Sequence, residues 1–266
     1  PVHAVAGHDT ASAFAAAPVR SPHAAVLSSG TWSLLGLELG EPVLTPEAAA
    51  FNLTNERGVE GTIRLLRNVM GLWLVQECRR CFGLAYEELN RLAAEASGDV
   101  PLFDPDDEAL LAPDDMPVQI AAACRAGGQA APATPGEVVR SILVSLACKY
   151  RLVLERLVRV TGRRVDVVHV VGGGVRNELL CGLTADLLGR PVLAGPVEAT
   201  ALGNVLMQPR ATGELGSLAE LRGVAAASAD PVVYEPAARP DETDALYGRF
   251  LEVTGLTVDE PEPAIA

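Results

Sequence analysis

Apolar runs separated by short polar breaks divide this chain into its elements. Residues 2–7, VHAVAG, are small and apolar and end on a glycine. They predict a short buried strand with His8, Asp9 and Thr10 at its C-terminal edge. TASAFAAAP, residues 10–18, has helical composition and stops at Pro18. Residues 23–39, HAAVLSSGTWSLLGLEL, predict two strands around a tight SSGT turn. Residues 41–61 carry Pro, Asn and Gly as punctuation and predict loop. From Thr62, the residues Ile63, Leu66, Met70, Trp73 and Leu74 recur at helical spacing and predict one long helix. AYEELNRLAAEA, residues 85–96, predicts a second.

Residues 99–134 hold most of the acidic clusters and several prolines, which predicts a surface excursion with little regular structure. A long helix follows, with Pro135 near its start and Gly162 beyond its end. RVDVVHVVGGG, residues 164–174, is a strongly apolar strand running into three glycines. Then come a helix over 175–190, a short strand PVLAGP, a helix over 198–213, an extended DPVVYEP and a helix over 239–256. This order predicts an α/β domain with a mixed sheet, antiparallel in its early strands and parallel in its later ones.

Composition narrows the partners. The formal net charge of −13 argues against a nucleic-acid backbone or an anionic membrane. It leaves room for a small anion held by local backbone amides. Lys149 is the only lysine, so no P-loop is present. Five irregularly spaced cysteines suggest no disulfide framework, and a reducing cytoplasm is the expected compartment. No apolar run reaches membrane-spanning length. The chain enters its first apolar run at once, as a piece cut from a longer protein would.

Three stretches could carry chemistry. The strand–GGG–helix at Gly172, Gly173 and Gly174 frees backbone amides at a helix start, which suits a phosphate or a nucleotide edge. A tight structural turn would look the same, and the dinucleotide fingerprint fails because Asn177 stands at its last glycine position. The SSGT turn offers hydroxyls and amides to phosphate oxygens, and it is also ordinary hairpin chemistry. Asp9 suits a general base or a metal ligand, and equally a helix cap. Cys78 and Cys81 lack a second ligand pair for zinc, so they read as structural. His169, Trp32 and Trp73 read as packing residues, and DPDDEALLAPDD as a solvated loop.

The three stretches occur in the order found in the second lobe of actin-like ATPases. GHDTASA, SSGTWSLLG, TNERGVEGTIRLLRNVMGLWLVQE and VVGGGVRNELLCGLTADLLGRPVLAGPVEATALGN together resemble the C-terminal half of the FGGY sugar kinases. The resemblance runs over nearly the whole of residues 1–266 and is weakest at 99–134. It implies an actin-like (ribonuclease H-like) α/β fold, a mixed sheet flanked by helices. It also implies that ATP, Mg²⁺ and a ketose are used. Asp9 matches the family's catalytic base; His8, Asp9, Thr10 and Asn68 match ketose contacts. Gly30, Thr31, Gln76, Gly173, Gly174 and Asn177 match the nucleotide side. No metal ligand is assigned in this chain. The family's N-terminal lobe is expected as a partner, so this chain is expected to be half a site, inactive alone. The resemblance leaves open a nucleotide-binding sensor without turnover.

Overall fold

The computed structural model describes residues 2, 3, 5–96 and 99–261. Its centre is a seven-stranded sheet in the order β3-β4-β2-β1-β5-β6-β7. β1 (Ala24–Ser29) pairs antiparallel with β2 (Trp32–Leu39), and β2 pairs antiparallel with β4 (Ile63–Met70). On the other side β1 pairs parallel with β5 (Val167–Val171), and β5 pairs parallel with β6 (Val192–Ala194). An antiparallel meander therefore gives way to parallel crossovers, as the pattern of elements predicts. β3 (Thr54–Arg57) and β7 (Val232–Tyr234) close the two edges.

Helices cover both faces because both carry apolar side chains. On one face Leu27, Leu35, Leu65 and Val170 pack against α6 (Pro135–Thr161). α3 (Trp73–Phe82), α4 (Tyr86–Glu95), α5 (Met116–Ala126) and α7 (Glu178–Leu188) complete that layer. α6 is fixed at both ends by local chemistry. Thr134 and Glu137 form a capping box around Pro135, and Gly162 closes the helix with φ 63°. The other face packs Val26, Leu34, Leu66 and Val171 against α1 (Asp9–Ala16), α8 (Ala199–Thr212) and α9 (Leu218–Ala229). α10 (Pro240–Thr254) lies outside α6 and α7, where Tyr247 and Phe250 are buried. α2 (Pro46–Ala50) is a single turn before β3.

Four expectations are corrected. The long helix from Thr62 is instead β4, a turn at Gly71, and α3. β4 is buried on both faces, so Leu65, Leu66 and Val69 blur the two-residue alternation into a helical one. The loop over 41–61 contains α2 and β3. No strand covers the described residues of 2–7, and Ala4 lies outside the described residues. Asp9 therefore opens a helix rather than following a strand.

The fourth correction is residues 99–134, which carry α5 and bury Leu102, Phe103, Leu110, Met116 and Ile120. Within this segment Asp106 is buried, not solvated. Its carboxylate lies 3.3 Å from Lys149 Nζ and 3.2 Å from an Arg67 nitrogen. It also accepts the Met70 backbone N–H at 2.7 Å. Lys149 reaches Asp104 at 2.8 Å and is fully buried. The acidic run thus supplies counter-charges to two cations inside the fold.

His169 is a core histidine, as expected, at 3% exposure. Among the described residues its Nδ1 has no hydrogen-bond partner. Burial lowers its pKa from 6.5 to about 4, and the charges of Arg222 and Arg20 push the same way. The unfolded chain binds a proton at this site below pH 6.5, whereas the folded chain resists until about pH 4. Stability from the neutral ring is therefore complete above pH 6.5 and lost as pH falls towards 4, by up to about 3 kcal/mol. Urea unfolding across that window should show a slope in the wild type that His169→Leu largely removes. Equal slopes in the two proteins would exclude His169 as its source.

Candidate functional site

The carboxyl ends of β1 and β5 open into two adjoining hollows. The first, about 550 Å³, is lined by His8, Asp9, Thr10, Asn68 and Trp32. The second, about 470 Å³, is lined by Thr31, Gln76, Asn90, Gly174 and Asn177. Gly30 and Gly173 line both, so the hollows meet at the β1–β2 turn and the glycine run. All ten sequence-predicted site residues fall on this pair of hollows.

Local chemistry explains each placement. His8 is the N-cap of α1, its Nδ1 accepting from the Thr10 N–H at 3.3 Å. Asp9 then sits in the first helical turn, where a carboxylate is favoured, and its side chain is exposed. Thr200 Oγ1 of α8 donates to the Asp9 carbonyl at 3.3 Å. α1 and α8 pack backbone to backbone here. A Cβ on Gly203 would collide with the Ser12 carbonyl, so only glycine allows this approach. Asn68 projects from β4 into the hollow, paired across the strands with Leu34.

The β1–β2 turn is clasped by the β4–α3 junction. Leu72 N–H donates to the Gly30 carbonyl at 2.9 Å, and Trp73 N–H to the Thr31 carbonyl at 3.0 Å. Gln76 Nε2 donates to Thr31 Oγ1 at 3.2 Å. Asn177 caps α7 by accepting the Leu180 N–H at 2.9 Å, and its Nδ2 donates to Asn90 Oδ1 at 3.1 Å. The three glycines divide by role. Side chains at Gly172 (φ 90°) and Gly174 would run into Ser29, so those two serve packing. A Cβ at Gly173 would meet nothing within 4 Å, and it faces the shared mouth of the hollows.

The donor set suits a polar ligand in the first hollow and a phosphate-bearing one beside it. Among the described residues no group of three or more His, Cys, Asp or Glu could hold a metal ion. Asp9 and Glu198 are the carboxylates of the first hollow. That fits a magnesium ion carried largely by phosphate oxygens and water, as such ions usually are beside nucleotides. No helix of the described residues is long and apolar enough to cross a membrane.

Three features of the site escaped the sequence reading. Trp32, read as a packing residue, is 45% exposed and lines the first hollow. Asn90 is the partner of Asn177, and nothing in its helical sequence marks it. Arg64 is buried and donates to Thr10 Oγ1 at 2.6 Å. An arginine between apolar strand residues was the available signal. Cys78 is buried in the core, as a structural cysteine would be, whereas Cys81 is exposed.

The sheet, its order and the helices on both faces make a mixed α/β domain with the actin-like fold. The model of the FGGY family of carbohydrate kinases, C-terminal domain, matches residues 25–212, and the chain belongs to this family. Rhamnulokinase of Bacteroides thetaiotaomicron is 48% identical over 237 residues, covering 89% of this chain and 49% of that protein. The crystal structure of xylulose kinase from Rhodospirillum rubrum superposes with a TM-score of 0.66 at 21% identity, covering 91% of this chain and 49% of that one. Glycerol kinase of Plasmodium falciparum with ADP gives 0.68 at 13% identity, covering 94% and 50%. The chain thus spans about half the length of these relatives.

Proposed function

We propose that this chain forms the base-bearing and nucleotide-facing half of a cytoplasmic ATP-dependent ketose kinase. L-rhamnulose is the acceptor we favour, giving L-rhamnulose 1-phosphate and ADP. One observation carries the reading: Asp9 lines one hollow, the Thr31–Gln76 pair lines the next, and the two share Gly30 and Gly173. An acceptor hydroxyl beside Asp9 would then face a phosphate chain held at the turn. Asp9 takes the hydroxyl proton as that oxygen attacks the γ-phosphorus. His8, Thr10 and Asn68 orient the sugar. The Thr31 hydroxyl and the backbone at Gly30, Gly173 and Gly174 face the phosphate chain and the nucleotide. Mg²⁺, when bound with ATP, neutralises phosphate charge.

The choice of L-rhamnulose is supported by the 48% identity to a rhamnulokinase. Another FGGY kinase activity, on L-fuculose, D-xylulose or a related polyol, is the second reading, and the match to the family model as a whole leaves room for it. The remaining sugar and metal contacts belong, in this proposal, to an N-terminal FGGY domain facing the cleft. ADP release in a coupled assay tests both levels. The full-length protein should release ADP in proportion to added L-rhamnulose, and this chain alone should release little. No ketose-dependent release from the full-length protein would remove the kinase reading. Robust turnover by this chain alone would remove the half-site reading.

A further inference from the structure

The first hollow has a wired floor. Arg64 on β4 is 1% exposed, its Cζ 5.5 Å from the Phe14 ring centroid. Its guanidinium is held by the Glu56 carboxylate at 2.7 Å and the Arg57 carbonyl at 3.3 Å. This placement follows from register, because Glu56 and Arg64 are direct cross-strand partners in the β3–β4 pair. The remaining arm, Nη1, reaches out of the sheet to Thr10 Oγ1 at 2.6 Å. Thr10 Oγ1 lies in turn 2.7 Å from His8 Nδ1.

Directions can be assigned along this line. A guanidinium only donates, so Thr10 Oγ1 accepts from Arg64. The Thr10 backbone N–H also only donates, and it points at His8 Nδ1. Nδ1 is therefore an acceptor without a proton; the backbone bond is the longer of the two, and the Thr10 hydroxyl, oriented by Arg64, donates the shorter one at 2.7 Å. A neutral imidazole with a bare Nδ1 carries its proton on Nε2. We infer that the Glu56–Arg64–Thr10 line fixes His8 as the Nε2–H tautomer, a hydrogen-bond donor presented to the ligand of the first hollow. Arg64 is a positioning residue: it acts on the ligand through Thr10 and His8. That the ligand is a ketose, whose oxygen would accept from Nε2–H, rests on the proposed function; the tautomer itself does not.

The chain has four histidines, His3, His8, His23 and His169, so each can be resolved in a histidine-labelled sample. Long-range ¹H–¹⁵N correlation spectra separate the two neutral tautomers directly. At a pH where imidazoles are neutral, His8 should show the Nε2–H pattern alone. Thr10→Ser should keep that pattern. Thr10→Val and Arg64→Met should each bring in the Nδ1–H form. Thr10 sits at the rim, so Thr10→Val carries the test if Arg64→Met fails to fold. A mixed His8 tautomer in the wild type would overturn the inference, as would an unchanged pattern in Thr10→Val. In the full-length protein, Thr10→Val and Arg64→Met should raise KM for the ketose several-fold and leave KM for ATP unchanged. A shifted tautomer with unchanged ketose KM would sink the donor role toward sugar. A wild type without kinase activity would sink the proposed function and leave the tautomer result standing.

Discussion

Asp9→Asn in the full-length protein should lower ketose phosphorylation by about 10²–10⁴-fold, the usual range for loss of a positioned general base. The amide keeps the shape of the carboxylate and cannot take up the hydroxyl proton. Its position predicts that little else changes. Asp9 is exposed in the first turn of α1, and α1 is held by His8 at its cap and by close packing on α8. Loss of its charge beside the helix start should cost about 0.3–1 kcal/mol of stability. The Thr31–Gln76 pair lies in the second hollow, so nucleotide affinity should hold. Steady-state kinetics and a nucleotide titration on one preparation check both halves. Turnover like the wild type would remove Asp9 from the mechanism. Lost nucleotide affinity would show instead that the two hollows act as one.

The second large effect is on stability. Lys149→Met leaves the Asp104 and Asp106 carboxylates without their buried ammonium. Breaking such a pair costs about 3–5 kcal/mol, a large share of the roughly 5–15 kcal/mol typical of a folded domain. Urea unfolding should show this fall. Adding Asp104→Asn should cost less than the sum of the two single changes, because Asp104 is the carboxylate that Lys149 holds at 2.8 Å and the second change removes the charge left by the first. The damage should also reach the cleft. Asp106 accepts the Met70 N–H, and the next residues clasp the Thr31 turn. Amide exchange at Leu72 and Trp73 should therefore quicken more than at β7. A loss below about 1 kcal/mol would mean that the network contributes little.

The chain shows plainly in its sequence those elements whose ends carry local chemistry. α6 has its capping box and its closing glycine, and β5 runs unmistakably into three glycines. The hairpin at Gly30 is written in Ser, Gly and Thr. β4 was illegible because alternation exists only where one sheet face meets water, and both faces of β4 are covered. α5 was hidden by its acidic, proline-rich surroundings, and the ion pairs of Asp104 and Asp106 ahead of it with Lys149 and Arg67 join residues about forty apart. The site was readable as three short stretches. What joins them was not: Arg64 to Thr10 and Asn90 to Asn177 are contacts made by the fold. The same holds for Trp32, whose exposure depends on the hollow beneath it.

The lone lysine has a practical meaning. Lys149 is the chain's single side-chain amine, and it is sealed on the buried face of α6 against Asp104 and Asp106. Amine-selective acylating reagents therefore meet no side-chain amine on the native surface. One mass increment, on the peptide that contains Lys149, becomes a clock for opening of the core, read in native buffer without denaturant. Ligands that close the cleft should slow that clock, which makes binding measurable without any turnover.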